Sequence, residues 1–462
     1  MLHKNEEYEG IVEGLGTEGE GIIKLQGTTA FVPVCLVGER VLFKVLKVNG
    51  NIAYGKLLKV IAPSSDRAEP LCPVFGKCGG CDIQHLSYLK QLDFKRDTVS
   101  SALSKLGGIY VGVNACVPCE KQYNYRNKLA LPIGVDGDGN TVIGFYARRS
   151  HRIVPIDSCA IQSEWAKKVF DAIYAWVNTG VSGYDEVKRT GVLRHIVVRE
   201  IGGKFIFALV AVKKIDVTPL IAELEKSFEN FTFLLNINRE QTNVIFGKEW
   251  HICRGEGFFE AEEGGIEYRA GANTFLQVND DVREKLYSQV LEEAEEGAVA
   301  IDLYSGGGML TAKLAKKCRA AYGIEIVEEA SRCADELKNK NGLHEKMFNI
   351  CGRVEDKIGE VFALTEGSSR VIVCDPPRKG MERSVVRAIK EAGADKIILI
   401  SCNPATLARD LGIIAGTLEE REGALVKCEN PVSDYKIVSV TPFDMFPQTK
   451  WCETLVVLTK RE

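Results

Sequence analysis

Cys402 follows an apolar run, Lys396 to Ile400, and precedes Asn403-Pro404, with helical spacing from Ala405 to Leu411 behind it. A thiol at the end of a strand and the start of a helix is placed to act as a nucleophile, because a helix N-terminus favours the thiolate. An inert buried cysteine would have the same neighbours. Glu453 opens a second apolar run, Thr454 to Leu458. It reads as a general base if that run packs beside the strand of Cys402, and otherwise as a solvated edge residue.

Two further stretches suit a bound ligand. Asp302-Leu-Tyr-Ser-Gly-Gly-Gly308 follows an apolar run, and Glu325 stands 17 residues after Gly308. Glycines let the backbone approach a ligand closely, and an acid at that distance can accept hydrogen bonds from a ribose diol. The loop is neither a Walker A sequence nor G-x-G-x-x-G, which favours S-adenosylmethionine over a dinucleotide and leaves a dehydrogenase as the alternative. In Asp375-Pro-Pro-Arg378 two prolines leave few backbone donors and hold one acid on a rigid loop, able to face the edge of a planar base. The same acid could simply cap the next helix.

Cysteines supply a third constellation. Cys72, Cys78 and Cys81 lie within ten residues, with Gly79-Gly80 letting the chain wrap tightly, and Cys159 is the best candidate for a fourth thiol. Four thiolates suit zinc or an iron-sulphur cluster, and the spacing does not choose between them. Cys116-Val-Pro-Cys119 could form a second pair, but no matching pair lies near it. Fifteen cysteines, an odd number, in a chain with no signal segment read as reduced thiols rather than disulfides.

The elements that must position these groups fall into three regions. Residues 8 to 60 alternate short apolar stretches with glycine turns, the pattern of a small closed β-barrel. Tyr88 to Leu106 has apolar residues at helical spacing (Leu89, Leu92, Val99, Leu103, Leu106) and ends in Gly107-Gly108. Residues 128 to 260 are strand-rich, with a hairpin of Val192 to Glu200 and Lys204 to Val212. Beyond residue 285, strands at Val299–Tyr304, Ala320–Ile324, Arg370–Cys374 and Lys396–Ile400 alternate with helical stretches, which implies a parallel, Rossmann-like sheet. Ligands bind past the carboxyl ends of such strands, where the glycine loop, Glu325, Asp375 and Cys402 all fall.

At roughly 150 residues per domain, 462 residues make about three domains. With 45% apolar and 26% charged residues, long-range disorder and collagen-like architecture are excluded. No apolar run approaches the ~20 residues of a membrane span, so a cytoplasmic chain is expected. The net charge of -4 argues against a uniformly basic surface, yet residues 121 to 204 carry thirteen Lys/Arg against eight Asp/Glu, +5, leaving -9 for the rest. A local basic face is therefore available to an acidic partner.

Taken together, these residues resemble the S-adenosylmethionine-dependent RNA uracil-5-methyltransferases, most closely their iron-sulphur branch acting on large-subunit (23S) ribosomal RNA. The shared motifs run through the chain in one order: Gly19-Glu-Gly21, Ala30-Phe-Val-Pro33, Cys72-x5-Cys-Gly-Gly-Cys81-x2-Gln84-His85, Tyr125-Arg-Asn-Lys128, Gly144-Phe-Tyr146, Cys159, Phe275-Leu-Gln277-Val-Asn279, Asp302-Leu-Tyr-Ser-Gly306, Asp375-Pro-Pro-Arg-Lys-Gly380, Ser401-Cys-Asn-Pro404 and Phe446-Pro-Gln-Thr449. The resemblance implies an N-terminal TRAM/OB-like β-barrel (1–60) that grips RNA, a central mixed α+β iron-sulphur domain (61–260), and an α/β Rossmann-like methyltransferase domain with a parallel-rich sheet (261–462).

It further implies that Gln277, Tyr304, Gly306, Glu325 and Asp375 hold S-adenosylmethionine, that Cys402 is the nucleophile, and that Glu453 removes the carbon-5 proton. Cys72, Cys78, Cys81 and Cys159 become ligands of a [4Fe-4S] cluster. The implied partner is RNA, ribosomal before transfer RNA, with neither DNA nor membrane expected, and Lys121, Arg126, Lys128, Arg148, Arg149 and Arg152 are expected to face it. A non-catalytic iron-sulphur RNA-binding protein is the alternative from another class. The chain departs from the family pattern at Gly308-Met309, at Gln448 where histidine is usual, and at Lys450-Trp451-Cys452.

Overall fold

The computed structural model describes residues 1–461. The first sixty residues form one six-stranded sheet, in the order Glu7–Ile11, Arg40–Asn49, Ile52–Ala62, Thr28–Val32, Gly21–Leu25, Gly14–Leu15. Alternation is the cause: Val41, Phe43 and Val45 point to one side and are fully buried, with Ile23, Ala30 and Val32 facing them. The pairing is antiparallel except where Thr28–Val32 runs parallel to Ile52–Ala62.

The second body is a seven-stranded mixed sheet ordered Glu249–Arg254, Phe231–Ile237, Lys204–Ala211, Leu193–Ile201, Lys128–Val135, Thr141–Tyr146, Ile153–Pro155. Helices Trp165–Val177 and Thr218–Glu225 cover one face over a core containing Leu129, Val198, Phe207 and Phe233. The expected hairpin is present as Leu193–Ile201 with Lys204–Ala211. A further hairpin, Phe258–Glu263 with Ile266–Gly271, pairs Glu260 with Arg269 and so spans the boundary expected at 260/261.

Helix Tyr88–Lys105 also crosses the expected division, since it packs on helix Pro404–Ile414. Its apolar pattern is used only in part: Val99 and Leu103 are buried, whereas Leu89 is 75% and Leu106 53% exposed. The polar side chain of Lys95 takes the buried place instead, paired with Asp444 at zero exposure on both sides. Tyr88 donates to the same carboxylate at 2.8 Å, and Lys95 donates to the Phe446 carbonyl at 3.0 Å. Asp444→Ala would leave a buried ammonium without its counter-charge, a loss of about 3–5 kcal/mol. A denaturant midpoint that did not fall would contradict this, and Lys95→Met with Asp444→Leu should recover most of the loss.

The third body carries the alternating pattern. Its sheet runs Met347–Cys351, Ala320–Glu325, Val299–Leu303, Arg370–Cys374, Lys396–Ser401, Glu453–Lys460, Tyr435–Phe443. The first five strands are parallel, Glu453–Lys460 is antiparallel to both neighbours, and the sheet is therefore mixed. Their near-continuous burial, such as Val299 to Leu303, is what helices on both faces require. Among the described residues no helix is long and apolar enough to cross a membrane.

Candidate active site

The antiparallel strand decides where the chemistry can sit. Because Ser401 pairs with Thr454, Cys402, just past one strand, and Glu453, first in the next, arrive at the same edge of the sheet. That edge is also where the parallel strands end. A cleft of about 1380 Å³ opens there, lined by Gln277, Tyr304, Gly306, Glu325, Asp375, Cys402 and Glu453. Glu453 is 4% exposed, so it is no solvated edge residue.

The glycine loop is shaped by close approach. Tyr304 takes φ +68° and Gly308 φ +81°. A Cβ at Gly308 would lie 2.7 Å from that of Ala334, which only glycine avoids. The Gly306 N–H donates to Glu325 Oε2 at 2.9 Å and the Val327 N–H to Oε1 at 2.7 Å. Each oxygen keeps a second acceptor site for hydroxyls. Below the loop, Asp302 accepts from the Thr311 hydroxyl at 2.6 Å, and burial pushes its carboxyl up to about 7. Asp375 is also pushed up to about 7 by burial. Gln277 is 8% exposed, with its backbone carbonyl held by Asn127 at 3.1 Å.

Asn403 caps the helix behind Cys402, its side chain accepting from the Ala405 N–H at 3.1 Å and donating to the Arg378 carbonyl at 3.0 Å. The helix start does not by itself yield a thiolate, contrary to expectation. Burial first, then the Glu453 and Asp375 carboxylates, push the thiol up to about 11, and Arg378 opposes them. Burial, with Asp375 adding, likewise holds the Glu453 carboxyl well above the carboxylate range, and its Oε2 is buried without a partner. Arg378, in a motif whose arginine had no assigned role, is thus the cation that favours the charged form of both groups. Its guanidinium lies 4.9 Å from the centre of the Trp451 ring.

These directions fix a sign. If the ionised forms are the working ones, raised values move their appearance to higher pH, so the single-turnover rate should climb between pH 6 and 9, by up to about tenfold per unit. A flat or falling profile would show that the thiol is not the group being activated.

The four expected cluster ligands are neighbours. Burial pushes up Cys78, Cys159 and, to about 12, Cys81, and the thiols raise one another as smaller contributions. The Gly80 N–H donates to Cys78 Sγ at 3.3 Å. A Cβ at Gly79 would stand 3.1 Å from the Tyr146 carbonyl oxygen, so glycine permits this docking. Among the described residues no three His, Cys, Asp or Glu side chains are gathered as a metal-holding group. Cys116 and Cys119 are buried, and Cys119 Sγ accepts from the Asn279 amide at 3.2 Å.

Sequence spacing did not reveal how the segment leading to Glu453 is held. The Asp82 and Ile83 N–H groups both donate to the Gln448 carbonyl at 3.1 Å, the Gln448 N–H donates to the Gln91 side chain at 3.0 Å, and the Tyr125 hydroxyl donates to the Pro447 carbonyl at 3.1 Å. These partners lie more than 300 positions away in the chain, beyond any local pattern. Of the expected RNA-facing residues, Lys121, Arg148, Arg149 and Arg152 are exposed, whereas Arg126 and Lys128 turn partly inward.

The chain is similar to known proteins. The model of the tRNA (uracil-5-)-methyltransferase family matches residues 359–461. An uncharacterized RNA methyltransferase of Clostridium tetani is 40% identical over 99% of this chain and 97% of its own, and one from Staphylococcus epidermidis is 33% identical over 100% and 99%. The crystal structure of Pyrococcus abyssi tRNA (uracil-54, C5)-methyltransferase with S-adenosyl-L-homocysteine superposes with a TM-score of 0.76 at 25% identity, covering 98% of this chain and 99% of that one.

Proposed function

The chain belongs to the S-adenosylmethionine-dependent RNA uracil-5-methyltransferase family, and from that premise we propose that it methylates carbon 5 of a uridine through a covalent Cys402 adduct. The observation that carries the reading is the Ser401–Thr454 pairing, which sets a thiol and a buried carboxyl side by side over Asp375. Gln277, Tyr304, Gly306, Glu325 and Asp375 are the groups we assign to the cofactor. S-adenosylmethionine, when bound, supplies an electrophilic methyl group and positive charge that would draw Asp375 towards its ionised form.

Carbon 5 of uracil is too weak a nucleophile to take that methyl unaided. Cys402 gives up its proton to water and its sulphur bonds to carbon 6, so the carbon 5–carbon 6 π pair makes carbon 5 the atom that takes the methyl group, with S-adenosyl-L-homocysteine leaving. After carbon 5 has gained the methyl, Glu453 takes the hydrogen left there, the carbon–sulphur bond breaks, and the ring regains its double bond. Arg378 favours the charged thiolate and carboxylate through these steps. A stacked base cannot reach the floor of a cleft, so the uridine must leave its stack, at a cost of a few kcal/mol that is lowest in single-stranded loops. The N-terminal sheet, read as a TRAM-like barrel of residues 1–60, and the exposed Lys121, Arg148, Arg149 and Arg152 are suited to grip such a loop.

Cys72, Cys78, Cys81 and Cys159 are the residues that would hold a [4Fe-4S] cluster, an assignment supported by the resemblance of the cysteine motif to the iron-sulphur branch and by their lying near one another. The cluster would supply a crosslink among these segments, and Asp82 and Ile83 tie them to the loop before Glu453. Iron and sulphide at about four each per chain after anaerobic purification are expected. Stoichiometric zinc instead would overturn the assignment.

For the substrate we favour large-subunit ribosomal RNA, because the cysteine motif resembles that of the family's branch acting on it. The alternative, transfer RNA, draws support from the Pyrococcus abyssi enzyme, which acts on transfer RNA. Incubating the protein with labelled S-adenosylmethionine and separate unmodified ribosomal and transfer RNA fractions decides between them. Label recovered as 5-methyluridine in the transfer RNA alone would reverse our preference, and label in neither would sink the proposed activity.

A further inference from the structure

Arg126 lines the cleft, and Lys128 lies two residues further along the same chain segment. Across the central sheet Lys128 pairs directly with Arg199, which is only 2% exposed. Nε and Nη1 of Arg199 and Nε of Arg126 are buried with no hydrogen-bond partner. None of the three side chains makes an ion pair among the described residues. Asp280 and Tyr268 face Arg199, but the Asp280 carboxylate is already engaged by Arg283 and by the Asn127 amide, each at 2.8 Å.

Clustered cations with donors left unused destabilise a fold, because each buried charge has lost its water without gaining a partner. Consistent with that, burial and then the two arginines push the Lys128 amine down to about 8. Such a cluster is relieved by an anion that arrives from outside. Guanidinium groups present paired donors that match phosphate oxygens, and Arg126 is the member of the cluster that lines the cleft.

We propose that Arg126, Lys128 and Arg199 form a phosphate-binding subsite for the RNA strand that enters the cleft. The inference rests on RNA being the substrate and deepens it. Arg199 is the member without a sequence signal, because it lies inside a strand of apolar alternation and its role depends on the partner strand. Seating a phosphate here would hold the backbone on the central-sheet wall while the base reaches towards Cys402.

The test uses the full-length protein and a fluorescein-labelled, uridine-containing single-stranded RNA, followed by anisotropy over a salt series. Arg126→Gln with Lys128→Gln should weaken binding at least about tenfold and lower the salt slope by about one. Arg199→Met, checked by thermal melting for folding, should do the same. Unchanged affinity and slope in folded variants overturns the subsite. Inorganic phosphate is the second probe: protection of the wild type against melting that is lost in the variants, with RNA affinity unchanged, would make this a site for free anions and overturn the RNA assignment. A wild type that methylates RNA beside variants that bind normally sinks the subsite alone. A wild type that binds through these residues yet transfers no methyl group sinks the proposed reaction alone.

Discussion

With Cys402→Ala, methyl transfer to RNA is expected to fall by at least about 10⁴-fold, because the variant lacks the bond that makes carbon 5 reactive. Residual rate from positioning alone is all that remains. The same substitution should leave S-adenosyl-L-homocysteine affinity within about threefold, since the groups assigned to the cofactor lie on the glycine loop, Glu325 and Asp375. A single-turnover assay with labelled methyl donor and a titration with S-adenosyl-L-homocysteine separate the two effects. Retained transfer would mean that the uracil is attacked without a covalent step, and equal loss of cofactor binding would mean that Cys402 supports the pocket rather than the reaction.

That expectation was legible at the level of the strand ends. Residues 299–303, 320–325, 370–374 and 396–401 form strands where apolar runs meet polar loops, and the loops do converge. Period and strand order carry such information because a parallel sheet puts all its carboxyl ends on one side. Glu453 was placed by a conditional: a base if its strand lies beside that of Cys402. The condition holds through the Ser401–Thr454 pairing.

What could not be read were charges whose state depends on distant neighbours. A helix start suggested a ready thiolate at Cys402, whereas burial and two carboxyls push the thiol up to about 11. Local sequence contains the helix but not the carboxyls, which come from residues 375 and 453. Leu89 and Leu106 had the right spacing for a buried face and are exposed, because the helix turns Lys95 inward to meet Asp444, 349 positions away. Arg199 looked like an ordinary strand residue until its cross-strand partner proved to be Lys128. In each case periodicity located the backbone while long-range pairing set the chemistry.

The second large effect concerns Glu453→Gln. The amide is close in shape but cannot accept the carbon-5 proton, so the sequence of steps should run to methylated adduct and stop before the carbon–sulphur bond breaks. A covalent protein–RNA species that carries label and survives denaturing electrophoresis is expected, while release of 5-methyluridine drops by about 10²–10⁴-fold. Adding Cys402→Ala should abolish the species, because no sulphur remains to bond carbon 6. Folding should not suffer. Burial raises the Glu453 carboxyl above its unfolded value, so its stabilising contribution is present at low pH and is lost as pH rises through the folded value. Glutamine carries no such loss, and the variant should melt at least as high as wild type at pH 8. Normal turnover without an adduct would remove Glu453 from the role of base and transfer it to Asp375, the other carboxyl bearing on Cys402, where Asp375→Asn would then have to trap the same species.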